Sequence, residues 1–213
     1  MPLELDPARR LALAYVPAAA RPAVEALWRL DLAFASVLAT GTQPVISQMR
    51  LAWWREALER LDQAPPPAEP VLQALAAHVL PTVTGMELAA VEEGWLMLVS
   101  EEALSEEELA LYAARRGGLL FTYAARLLGD SRFPVARAGA AWALADLARH
   151  SRRVDEIKSP PPMPKLKWPR KLRPLGMLAM LAKRDLERLD GEQEKQGSPK
   201  RILRIIRHRI GGY

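Results

Sequence analysis

The segment from Arg50 to Leu58, which reads Arg-Leu-Ala-Trp-Trp-Arg-Glu-Ala-Leu, restricts the possible folds more than any other part of the chain. Apolar residues recur around it every three or four positions, at Ile46, Met49, Trp53, Ala57 and Leu61. Trp54 and Leu58 lie on a second stripe, about 100° further round a helix. An arc this wide is typical of a helix inside a bundle. We therefore predict a central helix whose Arg50 points inward, either paired there or facing a pocket that requires positive charge.

Composition favours a single helical domain. The chain has 213 residues, of which 50% are hydrophobic and only 12 are glycine, and it is rich in the strong helix formers Ala, Leu, Glu and Arg. No run approaches the roughly 20 apolar residues that a membrane span needs. The chain has no cysteine, which excludes disulfides and thiol chemistry. We predict an all-α protein of the cytoplasm that can also contact a membrane peripherally.

Charge divides the chain unevenly, with a net charge of −5 over residues 1–150 and +10 over residues 151–213. We predict a helical domain over 1–198, followed by a basic amphipathic helix over 199–213 that packs on the same domain. Its apolar side carries Ile202, Leu203, Ile206 and Ile210. That helix is either a last core helix with a solvated basic face or a contact for an anionic membrane or a partner. A nucleic-acid partner is not expected, because no recognition pattern accompanies the charge.

Prolines, glycines and caps predict where the helices begin and end. Pro22, Pro44 and Pro134 suit helix starts, Ser105 and Glu108 form a capping box, and Gly129 suits a helix end. The predicted helices cover 7–16, 22–38, 44–61, 71–80, 87–99, 105–128, 136–150, 174–189 and 199–210. The proline-rich segment 64–70 is predicted to be a stiff connector, and the proline-rich segment 159–169 is predicted to be extended.

Several motifs, in order, resemble the squalene/phytoene synthase family. Leu27-Trp-Arg-Leu-Asp31 is followed by Arg50-Leu-Ala-Trp-Trp-Arg-Glu-Ala-Leu58, and the family has a helix reading R-L-x-W-W-x-x-A-L after its first aspartate-rich helix. Gly139 to Arg149 is similar to the family's G-x-A-x-x-L-x-x-x-x-R helix. The middle of the chain is similar at Trp95, Ser105, Tyr112 and Gly117-Gly118. The resemblance spans about residues 8–190.

This resemblance implies the isoprenoid synthase fold, a helical bundle around a central cavity, and head-to-head coupling of two prenyl diphosphates. Active relatives hold Mg²⁺ with aspartates one turn apart on facing helices, because this hard ion takes carboxylate and phosphate oxygens. The present chain departs from that pattern. No carboxylate lies between Asp31 and Glu56, so Ala35, Ser36 and Ala39 or Thr40 stand where aspartates are expected. On the facing helix, His150 replaces the aspartate that follows the arginine, while Asp146 and Asp155 are displaced. We predict no metal site and no cofactor.

The remaining acids have two interpretations each. Asp31 is either a buried partner of an arginine such as Arg21 or Arg50, or a metal ligand. Asp146 either pairs with Arg149 and His150 on one helix face or lines the cavity. We expect the tryptophans to lie in the hydrophobic core. The alternative is that they line a cavity that holds a prenyl chain. The residues that we expect at the cavity or ligand site are Arg50, Trp53, Trp54, Tyr112, Arg116, Asp146 and Arg149; no catalytic residue is assigned.

Three functions follow. The favoured one is a squalene/phytoene synthase-like protein without Mg²⁺-dependent prenyl transfer, which binds a prenyl lipid, a prenyl diphosphate or a protein partner. It would be similar to the family branch that resembles complex I assembly factors. The alternative is an active prenyl diphosphate transferase that holds Mg²⁺ through Asp31 and Asp146. The third is a membrane-surface adaptor that acts through residues 199–213.

Overall fold

The computed structural model of the chain describes residues 4–41, 43–100, 102–151, 153–158, 163, 166–189 and 194–211, without the side chains of 209 and 210. All regular structure in these residues is helical, which confirms the all-α prediction. The helices are α1 (Pro7–Ala14), α2 (Arg21–Thr40), α3 (Pro44–Arg60), α4 (Pro70–His78), α5 (Gly85–Ala89), α6 (Glu92–Leu96), α7 (Glu106–Ala113), α8 (Leu119–Leu127), α9 (Ala136–His150), α10 (Arg173–Leu186) and α11 (Pro199–Gly211). A π-helical turn, Ala114–Gly118, joins α7 to α8, and 3₁₀ turns cover Val154–Glu156 and Arg170–Leu172. None of the described helices is long and apolar enough to cross a membrane.

Local signals set most of the helix ends where they were predicted. The predicted capping box begins α7, because the Ser105 hydroxyl accepts from the Glu108 amide and the Glu108 carboxylate accepts from the Ser105 amide. Gly129 follows α8 with a φ of 75°, a left-handed conformation that glycine adopts without strain. The predicted single helix over 87–99 is instead two short helices, α5 and α6. Most of the segment predicted to be extended, 159–169, lies outside the described residues.

Helix α9 lies at the centre of the bundle, in contact with α7, the π turn, α8 and α10. It approaches the π turn closely at one point. A Cβ atom on Gly117 would lie 2.0 Å from the Gly139 carbonyl oxygen, and a Cβ on Gly139 would lie 2.1 Å from the Gly117 oxygen. Only glycine fits at either position. The approach brings the side chains of the π turn against α9.

Helix α3 is buried on one of the two sides that its sequence predicts to be buried. Leu51, Trp54 and Leu58 are buried against neighbouring helices, but Ile46, Met49 and Trp53 are 45%, 68% and 47% exposed. The neighbours α2, α5 and α6 cover the side that carries Trp54 and Leu58, so the first apolar stripe faces outward at the N-terminal end of the helix. The prediction that Arg50 points inward is also wrong. Its side chain is exposed, and its Nη1 donates to the Thr40 hydroxyl at 3.1 Å.

Helix α11 packs on α10 with a different face from the one expected. Arg201, Ile205 and His208 are buried, whereas Ile202, Leu203 and Ile206 are exposed. The interpretation of these isoleucine and leucine side chains as a core face is therefore wrong for the described residues. Charge explains the difference, because Arg201 pairs with the carboxylate of Asp185 on α10.

Candidate functional site

A cavity of about 470 Å³ opens between α1, α2, α6, α7, the π turn and α9. One part of its wall is apolar and comes mainly from α2 and α6, through Leu32, Ala35, Leu38, Ala39, Trp95, Leu98 and Leu147. The other part is polar and comes from the chain's N-terminal segment, the π turn and the end of α9, through Glu4, Asp6, Arg9, Tyr112, Arg116, Asp146, His150, Ser151 and Arg153. The cavity is therefore amphipathic and has the size usual for a small-molecule site.

Asp31, on α2, is fully buried beside this cavity and accepts four hydrogen bonds. Its Oδ1 accepts from Arg116 Nε at 2.8 Å and from Trp95 Nε1 at 3.0 Å. Its Oδ2 accepts from Arg116 Nη2 at 2.9 Å and from Arg9 Nη1 at 3.0 Å. The predicted pairing of Asp31 with an arginine is confirmed, but the suggested partners are wrong. Arg50 bonds to Thr40, and Arg21 donates to backbone carbonyls at the end of α1 and just after it.

Asp146 binds the same two arginines from the facing helix. Its Oδ1 lies 3.2 Å from Arg9 Nη2 and its Oδ2 lies 2.6 Å from Arg116 Nη2. His150, one turn later, places Nδ1 3.2 Å from Oδ1. Asp146 thus pairs on its own helix face and also lines the cavity. Its other predicted partner, Arg149, instead pairs with Asp185 at 2.8 Å. We call Arg9, Asp31, Arg116 and Asp146 the cavity cluster.

Aromatic rings enclose the two arginines of the cavity cluster. The Arg116 guanidinium carbon lies 4.1 Å from the centre of the Trp95 ring and 5.1 Å from that of Trp142. The Arg9 guanidinium carbon lies 4.8 Å from the Trp142 ring centre. Arg116 Nη1 also donates to the Tyr112 hydroxyl at 2.6 Å. These contacts replace water around both cations and fix their orientation.

Burial and neighbouring charges shift the pKa values of Asp146 and Arg116 in opposite directions. Burial raises the pKa of Asp146, but Arg116 and Arg9 outweigh it, so that pKa lies well below its usual range. Burial lowers the pKa of Arg116, but Asp31, Tyr112 and Asp146 more than compensate and raise it. Burial raises the pKa of Tyr112 to about 12, so its hydroxyl stays protonated at neutral pH. The cluster therefore holds two negative and two positive charges and has no net charge.

A Mg²⁺ ion does not fit these residues. Both oxygens of each aspartate already accept hydrogen bonds or ion pairs from arginine. An ion would therefore have to displace guanidinium groups from both aspartates before it could bind them. Elsewhere in the described residues, no group of three or more acidic or histidine side chains is placed to hold a metal.

The structure brings together only part of the predicted site. Tyr112, Arg116 and Asp146 line the cavity. Trp54 is buried with its ring centre 5.9 Å from that of Phe34, and Trp53 and Arg50 lie on the surface. Arg149 lies next to the cavity, in contact with Asp185 rather than in the cavity wall.

Arg9 lines the cavity and pairs with both aspartates, but it was not among the predicted site residues. It lies in the first turn of α1, where a positive charge opposes the helix dipole. That unfavourable position was the one available signal that the side chain has a partner elsewhere. Asp6 caps the same turn and pairs with Arg9 Nε at 2.8 Å.

Comparison with protein-family models gives a match over residues 5–157 to the model described as squalene/phytoene synthase. No curated protein and no solved structure matches the chain. The matched residues include α1, α2, the π turn and α9, and so contain the whole cavity cluster. The helical architecture agrees with the isoprenoid synthase-like fold expected of that family. The chain belongs to the squalene/phytoene synthase family.

Proposed function

We propose that this protein is a squalene/phytoene synthase relative that binds a prenyl lipid in its central cavity and does not carry out Mg²⁺-dependent prenyl transfer. The observation that carries the proposal is the cavity cluster. Asp31 and Asp146, the two acids of the cavity cluster, have their oxygens bonded to Arg9 and Arg116. The internal arginines take the place that a metal ion would need.

The apolar part of the cavity supports a hydrocarbon ligand. Where the sequence lacks the expected aspartates, Ala35 and Ala39 face the cavity together with Leu32 and Leu38 of the same helix. Leu98 and Leu147 extend this wall from the other side. Each buried CH₂ group of a ligand gains about 0.8 kcal/mol from such a surface.

The polar part of the cavity favours a neutral head group over a diphosphate. Arg9 and Arg116 are already neutralised by the two aspartates, and Glu4 and Asp6 add negative charge nearby. Arg153 lines the same opening, but its guanidinium donates to the carbonyls of Ser100 and Glu102. A prenyl alcohol or another uncharged isoprenoid avoids the repulsion and desolvation that a diphosphate would meet there.

The alternative of an active transferase is less consistent with these contacts. Asp31 would have to leave Arg9, Arg116 and Trp95 before it could bind an ion. Breaking such a buried network costs several kcal/mol. The geometry therefore favours binding over catalysis.

Binding can be tested by titrating the protein with farnesol and with farnesyl diphosphate while following tryptophan fluorescence, because Trp95 lies in the cavity wall. We expect farnesol to bind more tightly. Ala35→Phe should weaken binding about tenfold or more by filling the apolar end of the cavity. Ala77→Phe, at an exposed position on α4, is the matched control and should bind normally.

Catalysis is tested separately by incubation with farnesyl or geranylgeranyl diphosphate, Mg²⁺ and NADPH. We expect no diphosphate release above background. Release that disappears in Asp146→Ala would contradict the proposal and support the active transferase.

A further inference from the structure

The side of α11 that faces away from α10 is apolar. Ile202, Leu203 and Ile206 are 38%, 67% and 39% exposed, and we call them the outer face of α11. The opposite side of the helix contains a buried arginine, Arg201, and a buried histidine, His208. A helix that served only to complete the core would have the reverse arrangement.

Ion pairs determine this orientation. Arg201 donates from Nη1 and Nη2 to the two oxygens of Asp185, at 2.6 and 3.0 Å. Arg204, further round the helix, pairs with Glu194 in the segment that precedes α11. Rotating the helix to bury its outer face would break both pairs, so the apolar side chains stay exposed.

Cationic side chains border the outer face of α11 on both sides. Lys200 and Arg207 are exposed and adjoin Leu203 on the helix surface. On the other side, Ile206 lines a groove of about 920 Å³ together with Arg170, Lys171 and Arg173. One acid near this groove, Asp130, lies 3.6 Å from Lys171 Nζ. The surface therefore combines an apolar strip with an excess of positive charge.

We propose that the outer face of α11 and the basic groove beside it bind the surface of an anionic lipid bilayer. Exposed isoleucine and leucine side chains enter the boundary between head groups and acyl chains, while flanking lysine and arginine side chains contact lipid phosphates. Charge complementarity favours this partner, since the segment 151–213 has a net charge of +10. The proposal concerns a surface outside the central cavity and does not depend on what that cavity binds.

The test is sedimentation of the full chain with phosphatidylcholine vesicles that contain or lack phosphatidylglycerol. We expect binding to the anionic vesicles only, and weaker binding at higher salt. Leu203→Gln should weaken binding about tenfold. The pair Lys200→Glu and Arg207→Glu should weaken it by more than about tenfold. These side chains are exposed, so circular dichroism of the variants should match the parent.

Two matched controls show whether a loss of vesicle binding is specific to the outer face of α11 and the charges beside it. Leu111→Gln removes an exposed leucine from α7, and the pair Arg60→Glu and Arg132→Glu makes the same charge change elsewhere. Both should bind as the parent does. Ala35→Phe, which fills the cavity, should also leave vesicle binding unchanged.

Three results would overturn the proposal. They are an absence of binding to anionic vesicles, binding that Leu203→Gln does not weaken, and a concentration-dependent dimer that disappears in Leu203→Gln. The last result, measured by analytical ultracentrifugation, would assign the outer face of α11 to a second copy of the chain.

Discussion

Two buried ionic clusters adjoin α9, and they differ in the balance of their charges. The cavity cluster contains two aspartates and two arginines and joins α1, α2, the π turn and α9. The second, which we call the C-terminal cluster, contains Asp185 between Arg149 and Arg201 and joins α9, α10 and α11. The first has no net charge, whereas the second has one arginine more than it has aspartates.

This difference shows two uses of a buried ion pair. In the cavity cluster, each aspartate needs both arginines, so the pairs hold the cavity wall and at the same time leave no oxygen for a metal. In the C-terminal cluster, the additional arginine belongs to α11 and determines which face of that helix turns inward. The cavity cluster holds the wall of an internal cavity, whereas the C-terminal cluster determines which side of α11 is exposed. If charge balance causes this difference, removal of one arginine should lower the free energy of unfolding more in the cavity cluster than in the C-terminal cluster.

Removal of Arg116 should give the largest effect. Arg116→Ala leaves two buried aspartates with one arginine, and we expect the free energy of unfolding to fall by about 3–5 kcal/mol. The measurement is urea denaturation. Arg115→Ala is the matched control, because the adjacent Arg115 pairs with Glu93 on the surface, and it should cost less than about 1 kcal/mol. Equal losses in the two variants would show that the cavity cluster does not stabilise the fold.

Removal of Arg201 should have a smaller effect, because Asp185 keeps Arg149 as its partner. We expect Arg201→Ala to lower the free energy of unfolding by about 2 kcal/mol, the contribution of a charged hydrogen-bonded contact. Amide hydrogen exchange should increase mainly across residues 199–208, where α11 would separate from α10. The control Arg207→Ala changes an exposed arginine of the same helix. A loss as large as that of Arg116→Ala would contradict the role given to charge balance.

His150 connects the two regions and should give the smallest effect. The hydrogen bond and charge of Asp146 raise the pKa of His150, and its Nε2 lies 3.2 Å from Gln196 Nε2 in the segment before α11. Since the pKa in the folded state is raised, the stabilisation is fully present below the unfolded pKa of about 6.5 and is lost as the pH rises through the folded value. The ring is half exposed, so we expect His150→Ala to cost only about 0.3–0.5 kcal/mol near pH 5.5 and nothing near pH 8.

The matched control for this last prediction is His78→Ala, on the exposed side of α4. The measurement is the stability of both variants by thermal denaturation between about pH 5.5 and pH 8. A loss in His150→Ala that grows as the pH rises would contradict the assignment.

The sequence predicted the candidate site in part. Tyr112 and Asp146 lie in the family motifs, Arg116 follows Tyr112 by one helical turn, and the absence of expected aspartates marked the cavity wall at Ala35 and Ala39. Arg9 was missed because its partners, Asp31 and Asp146, lie 22 and 137 residues further along the chain. No local pattern connects residues at such separations. Arg50 and Trp53 were misplaced because α3 has two apolar stripes, and periodicity alone does not tell which of them the neighbouring helices cover.

By itself, the sequence determined the helical class, most helix ends and the family, because these follow from local rules such as proline at a helix start, capping boxes and residue spacing. It also determined that no carboxylate lies between Asp31 and Glu56, where aspartates are expected, and that positive charge is concentrated in the last part of the chain. Tertiary structure decided which arginines neutralise Asp31 and Asp146, and which face of α11 turns inward. The physical reason is that these outcomes depend on long-range packing, in which buried ion pairs outweigh the apolar periodicity of a single helix.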